Sequence, residues 1–335
     1  MTKRKGRRHA IVVFHLVGAI ALGLVGCDES SDIQSLTLAH SLPVTHPVHK
    51  AMVRMQERLL ELSEGGMRID IYSDGQLGTE RVILELLQIG SIDMTKVGGS
   101  TISSFAPEYK VLELPFLFRD RDHRFAVLEG AIGRRILDSG SKSWLRGLVF
   151  YDAGTRSFYS CTRPIRSPDD MRGMKVRVMS SPIAIEMIES MGAAATPISF
   201  GELYTALQQG IVDAAENNPP SYHLARHYEV CKYYTLDEHT AVPDVLLIST
   251  HAWDRLEAEQ RAWLMEAARE SAELQKVLWS EAEEQSLQTV AESGVEIIRP
   301  DREPFVERSR AVIDRFRSDP VLDDLISRIE QTVTE

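Results

Sequence analysis

Twice along the chain, short runs of alternating apolar residues give way to stretches with apolar residues at helical spacing, and this order restricts the fold more than any other feature. Residues 35–41 (SLTLAHS) alternate as a strand does. From His46 to Leu62 the positions Val48, Met52, Met55, Leu59 and Leu62 share a helical face; Pro47 suits the first turn and Gly65-Gly66 stops the helix. Residues 67–73 (MRIDIYS) alternate again, Thr79 caps a helix over ERVILELLQIG, and IDMTKVG gives a third strand. A second set begins near residue 153 with the strand MKVRVM, helices over Ile183–Met191 and Phe200–Gln209, and the short strand in VDAAENN. DVLLIST (244–250) is one more aliphatic strand. Repeated βαβ units predict an α/β protein with largely parallel sheets covered by helices.

From Trp253 to about Glu292 there is almost no helix breaker, which predicts one or two long helices. Trp263, Ala267, Leu274 and Leu278 are the expected buried face. At about 1.5 Å per residue such a helix is long enough to span two domains. The chain carries no internal repeat, and with 43% hydrophobic residues it has ample material for a core.

The N-terminus has the order of an export signal. Lys3, Arg4, Lys5, Arg7 and Arg8 precede the apolar run Ala10–Gly26, and Leu24-Val25-Gly26-Cys27 resembles a lipobox in which Cys27 is lipidated. Residues 1–26 are therefore expected to be a lipoprotein signal peptide and 27–34 a tether, with the remainder in the periplasm or otherwise outside the cytoplasm, anchored to a membrane by lipid. An uncleaved membrane anchor is the alternative, and it places the rest of the chain on the same side. The net charge of −11 argues against a nucleic-acid partner, which needs a basic face. Without its first 26 residues the chain has 33 basic and 49 acidic residues, a net of −16. The two remaining cysteines, Cys161 and Cys231, could pair in an oxidising compartment, but separate buried thiols are the preferred expectation.

Motifs for nucleophilic hydrolysis, nucleotide binding and zinc proteolysis are missing: the sequence has no GxSxG, GxxxxGK[ST], HExxH or CxxC. No cofactor and no metal are expected, since His46 and His49 at i, i+3 lack a completing ligand. The informative residues are elsewhere. Arg177 stands in mid-strand between Val176 and Val178, and a buried guanidinium needs a partner. It either pairs with Asp213 or Glu216, or waits for a ligand carboxylate that it would grip bidentately. Arg156 in GTRSFYS, Asn217 and Asn218 in AENNPPS, and Phe200 before its helix are further candidates.

Together, GTR at 156, MRGMKVRV (171–178) and ATPISFGELYTALQQGIVDAAENN (195–218) resemble the DctP-type solute receptors of TRAP (tripartite ATP-independent periplasmic) transporters. The likeness extends over YSDGQLGTER, ELPFLF and the long helix. It implies a two-domain clamshell like other periplasmic binding proteins, with the long helix spanning both domains: 35–153 plus 243–282 as domain I, 154–242 plus 283–335 as domain II. It also implies a small carboxylate ligand, no catalysis, and delivery to a small and a large membrane permease subunit. Arg177 stands at the position of the family's main carboxylate clamp, Arg156 at that of a second arginine, Asn217 at that of the asparagine, and Phe200 at that of the aromatic packed on the ligand. Ser41 and Gly98 replace the asparagine and glutamate of the sialic-acid receptors, which argues against sialic acid. DAGTRSFY and the stretch from AENNPPS to DVLLIS resemble the hexuronate receptors, so glucuronate or galacturonate is the expected ligand, with His40, His46, Lys96 and Asn218 as candidates to meet sugar hydroxyls. A C4-dicarboxylate or other sugar acid is the alternative ligand. A secreted uronate hydrolase or lyase, or a receptor presenting ligand to a histidine kinase, are the alternatives in other classes.

Overall fold

A computed structural model of the chain describes residues 33–334. The expected signal peptide over 1–26, the lipidation site at Cys27 and all but the end of the 27–34 tether lie outside the described residues.

Eleven strands are described: β1 (Gln34–Ala39), β2 (Met67–Tyr72), β3 (Met94–Gly98), β4 (Leu145–Tyr151), β5 (Arg156–Ser160), β6 (Lys175–Val178), β7 (Ala194–Pro197), β8 (Ala214–Asn217), β9 (Tyr233–Thr240), β10 (Asp244–Ser249) and β11 (Glu296–Ile298). They form two sheets, ordered β2-β1-β3-β10-β4 and β11-β9-β5-β8-β6-β7. Each sheet has a parallel part made by βαβ units and a strand that enters antiparallel. β10 runs against both β3 and β4, and β5 runs against both β8 and β9. Residues Ile33–Glu335 form one compact unit, built as two lobes, one around each sheet.

Local chemistry sets the elements between these strands. Pro47 and the His46 side chain open the helix Pro47–Leu62, which buries Val48, Met52, Met55 and Leu59. Burying each such side chain contributes about 1.5–3 kcal/mol. Thr79 accepts the Val82 N–H at the start of the helix Glu80–Gln88. The chain crosses between the sheets at residues 152–155, from β4 to β5, and at residues 241–243, from β9 to β10.

The region after residue 250 folds as a short helix, Thr250–Arg255, and a helix of 35 residues, Ala258–Glu292. Its buried face is not the expected one. Leu264, Ala268, Ser271, Gln275 and Trp279 face inward, Ala267 is buried as expected, and Leu274 is exposed. The cause is that two polar residues belong to the buried seam. Ser271 Oγ meets the Tyr151 hydroxyl at 2.8 Å. Gln275 exchanges two 2.7 Å hydrogen bonds with the backbone N–H and C=O of Asp152, where β4 leaves its sheet. Those buried backbone groups need partners, so a glutamine outcompetes a leucine there.

Two further expectations are corrected. Cys161 and Cys231 form a disulfide across a separation of 70 residues. β5 and β9 are antiparallel neighbours with Ser160 opposite Tyr233, which brings the end of one beside the start of the other. Residues 283–335 do not all belong with the second sheet. The last helix, Pro320–Glu330, buries Leu322, Leu325, Ile326 and Ile329 in the first-lobe core with Val111, Leu112 and Ile136.

Candidate functional site

A cleft of about 430 Å³ lies between the lobes, within the size range of small-molecule sites. Its second-lobe wall is built by β5, β6 and β8. Arg177 stands on β6, which lies between β7 and β8, with Thr196 opposite it on one side and Ala215 on the other. It is 3% exposed. Its Nε donates to the Ile198 carbonyl at 2.8 Å, and its two terminal nitrogens have no protein partner among the described residues. Neither carboxylate considered for it from sequence is its partner. Asp213 accepts the Lys175 N–H at 2.8 Å, and Glu216 binds Arg156. Burial pushes the Arg177 guanidinium below its ordinary pKa, and the Glu216 charge opposes this.

Arg156, at the start of β5, is fully engaged. It makes two contacts to the Glu216 carboxylate, through Nε to Oε2 and NH2 to Oε1, the latter at 2.9 Å. NH2 also donates to the Glu216 carbonyl and NH1 to Asn217 Oδ1, both at 2.9 Å. Burial pulls the Arg156 pKa down, but Glu216 outweighs it and holds it above its ordinary value. Asn217 Oδ1 also accepts the Asn218 N–H at 2.9 Å, which leaves the Asn217 amide nitrogen as the free donor facing the cleft. The Asn218 side chain caps the helix Pro219–Leu224 through the Ser221 N–H.

The first-lobe wall carries a second charged group, and most of it was not anticipated. Lys96 on β3 sits 2.9 Å from Asp244 Oδ1 and 3.5 Å from Glu80 Oε1. Period-two alternation puts Lys96 and Gly98 on one face of β3, and Gly98 is opposite Asp244 on β10. Glu80 accepts from Thr101 Oγ1 at 2.7 Å, from Ser41 Oγ at 3.4 Å and from the Gly98 N–H at 3.4 Å. Burial opposes the Lys96 charge, but Asp244 and Glu80 prevail and keep its pKa above the ordinary value. Burial pushes the Asp244 carboxyl up, against the pull of Lys96. In the sequence Glu80 reads as a first-turn acid behind a Thr79 cap, and Asp244 as the edge of an aliphatic strand; neither pattern signals a binding wall.

Of the eight residues singled out from sequence, Arg177, Arg156, Asn217, Asn218, Phe200 and Lys96 line the cleft. Phe200 opens the helix Phe200–Gln208, with its ring at 5.8 Å and edge-on to His227. His40 and His46 do not line it. His46 Nδ1 accepts the Val48 N–H at 3.3 Å, and the buried ring lies 5.8 Å from that of Trp279. His40 Nδ1 accepts the Leu42 N–H at 3.1 Å, so its proton is on Nε2, 3.0 Å from His49 Nδ1. Burial, aided by Lys96, lowers the His40 pKa to about 3 and that of His46 well below its ordinary value, so both rings are neutral supports of the first-lobe wall. Among the described residues no group of three or more His, Cys, Asp or Glu converges as a metal site would require.

The site thus opposes two arginines on one wall to two carboxylates and a lysine on the other, with an aromatic ring at its edge. A family model for bacterial extracellular solute-binding proteins, family 7 (DctP), matches residues 38–319. Three solved TRAP periplasmic solute-binding proteins are similar to the chain. One from Bradyrhizobium sp. BTAi1, in complex with α/β-D-galacturonate, shares 38% identity over 89% of this chain and 100% of its own, with a TM-score of 0.88. One from Xanthobacter autotrophicus Py2, with bound β-D-galacturonate, shares 39% over 89% of this chain and 100% of its own, with a TM-score of 0.87. One from Pseudomonas putida F1, with bound D-glucuronate, shares 33% over 90% of this chain and 98% of its own, with a TM-score of 0.87.

Proposed function

The chain belongs to the DctP family of bacterial extracellular solute-binding proteins, a family of receptors rather than enzymes, and from that premise we propose that its cleft captures a hexuronate, glucuronate or galacturonate, for a TRAP permease. One observation carries the reading: Arg177 is buried at the cleft with a carbonyl on Nε and no carboxylate on its other nitrogens. A single ligand carboxylate completes it bidentately, and the Asn217 amide donates to the same group. Arg156, tied to Glu216, adds positive potential and fixes Asn217. Phe200 packs on the sugar ring, and Lys96, Asn218, Glu80 and Asp244 meet its hydroxyls. The lobes close about residues 152–155 and 241–243, because a ligand touching both walls stabilises the closed form. His40 and His46 act from behind the wall.

The first-lobe wall also selects the class of acid. Hydroxyl groups donate to Glu80 and Asp244, whereas a second carboxylate placed there faces two like charges without water to screen them. That supports a monocarboxylic sugar acid over a C4-dicarboxylate, as do the galacturonate and glucuronate held by the solved relatives. In a thermal-shift screen, glucuronate or galacturonate at 100 times its Kd should stabilise the protein by about 2.7 kcal/mol, and succinate and malate should leave the melting temperature unchanged. The reverse result overturns the substrate assignment.

Leu24-Val25-Gly26-Cys27 supports lipidation at Cys27 and tethering beside a permease of one small and one large subunit. Metabolic labelling with a radioactive fatty acid should mark the wild-type protein and leave Cys27→Ser unmarked; an unlabelled wild type would favour the uncleaved anchor instead.

A further inference from the structure

We propose that Glu113 is a proton-linked latch between the lobes: its carboxyl group must be uncharged for the N-terminus of the helix Pro182–Ser190 to seat on the first lobe, so that closure on a ligand takes up a proton. The inference rests on the hexuronate reading only for the choice of probe.

Glu113 ends a 3-10 turn, Pro107–Glu113, on the first lobe, and it is 3% exposed. Neither carboxyl oxygen has a hydrogen-bond partner. A buried carboxylate left in that state costs several kcal/mol, so the group needs a reason to persist. Three hydroxyls surround it: Ser100 and Ser103 from the first lobe and Ser181 from the second, all buried. Their existing bonds leave both donors and acceptors spare. Ser181 Oγ accepts the N–H groups of Ile183 and Ala184, at 3.2 and 3.3 Å, so its proton is unused. Ser100 Oγ has no partner. Ser103 Oγ spends its proton on the Ser100 carbonyl at 2.8 Å and retains its lone pairs. A neutral carboxyl can therefore donate to one hydroxyl and accept from another.

The place of this group is mechanical. Ile183 packs in the first-lobe core and Phe116 in the second-lobe core, so the seam between the lobes runs past Glu113. Met179 and Ser180, immediately before Ser181, line the ligand cleft. The charged groups on the packed elements do not neutralise it. Its own turn carries Lys110 and Glu108, the latter bound to Arg135 at 3.0 Å; the helix Ala131–Ser139 brings Arg134, Arg135 and Asp138, and the helix Gly99–Ile102 carries no charge. Helix Pro182–Ser190 brings Glu186, paired with Arg315 at 3.2 Å, and Glu189. Helix Pro320–Glu330, on the far side of the turn, brings Asp323, Asp324 and Arg328, of which Asp323 binds Arg317 and Asp324 binds Arg135.

Burial pushes the Glu113 carboxyl up to about 7, against the pull of the three hydroxyls and Lys110. A raised acid favours the form that buries it: the contribution is complete below its ordinary value near 4.5 and is lost as pH rises through about 7. Lifting the helix admits water and returns the group toward its ordinary value. Ligand affinity therefore falls as pH rises from about 4.5 to about 7, by up to tenfold per pH unit, and levels off above that.

The test is calorimetry of glucuronate binding at pH 6 and pH 8.5, in buffers of different ionisation enthalpy. Wild type should bind about tenfold more weakly at pH 8.5, with uptake of a fraction of a proton near pH 7.5. Glu113→Gln should bind at least as tightly as wild type at pH 6, keep its affinity within twofold at pH 8.5, and take up no proton. Parallel behaviour of the two proteins overturns the latch. Carboxyl carbon NMR of wild type saturated with glucuronate provides a second measurement that needs no variant: a glutamate titrating near 7 supports the latch, and its absence overturns it. Failure of the hexuronate reading would look different, as loss of glucuronate binding at every pH in both proteins.

Discussion

Arg177→Ala is expected to weaken glucuronate binding by at least a hundredfold in calorimetry, while the melting temperature of the ligand-free protein stays the same or rises. Each charge-assisted hydrogen bond is worth about 1.5–3 kcal/mol, and a bidentate grip makes two. Their loss spans roughly two to four powers of ten in Kd at 1.4 kcal/mol per tenfold. The stability half of the result follows from what Arg177 lacks. Its guanidinium is buried with one backbone carbonyl and no carboxylate, so the free protein carries desolvation that truncation removes. Arg177→Lys keeps a charge but loses both the planar fork and the Nε bond to Ile198, and should recover only part of the affinity. An alanine variant that binds within tenfold of wild type would remove Arg177 from the site.

The neighbouring arginine should behave in the opposite way. Arg156→Ala is expected to cost about 3–5 kcal/mol of stability, because it leaves the Glu216 carboxylate buried without its main counterion. That corresponds to a fall of roughly 10 °C in melting temperature for a chain of this size. The effect carries a pH signature. Burial alone would raise the Glu216 pKa, but Arg156 and then His239 outweigh it and hold the carboxyl at about 2. A depressed acid contributes its full stability above its ordinary value of 4.5 and loses it as pH falls toward 2. The gap between wild type and Arg156→Ala should therefore be widest near neutral pH and narrow as pH drops from 4.5 to 2 in thermal melts. His239 works in the other direction. Asp237 and Glu216 overcome its burial and raise it to about 9, so its contribution is complete below 6.5 and fades as pH rises through 9. A melting temperature insensitive to Arg156→Ala would mean that His239, 3.7 Å from Glu216 Oε2, suffices as its counterion.

The two arginines share a residue type, a wall and near-complete burial, yet only one is paired. From the sequence, Arg177 had the choice between an internal carboxylate and a ligand, and the same choice was open for any acid within reach. Register settled it. β5 and β8 are antiparallel, with Phe158 opposite Glu216, which sets the Glu216 side chain beside Arg156. β6 and β8 are parallel, with Arg177 opposite Ala215, which leaves Arg177 facing the cleft.

Local features were legible because their causes are local. Period-two and helical apolar spacing gave the order of strands and helices, and Pro47, Thr79 and Gly65-Gly66 marked ends that follow from backbone geometry within a few residues. The arginine, asparagine and aromatic positions were legible through their company in one recurring pattern. What the sequence did not determine depends on contacts distant along the chain. Gln275 belongs to the core only because the backbone of Asp152 needs it. Cys161 reaches Cys231 only because β5 and β9 are neighbours. The terminal helix covers the first lobe because apolar residues there await it. Glu80, Lys96 and Asp244 become one wall only when β10 enters between β3 and β4. Period and capping act over a few residues, so the sequence by itself determined the elements and the kind of ligand group. Pairing of buried charges and burial of polar side chains depend on which strands become neighbours, and only the tertiary structure decided those.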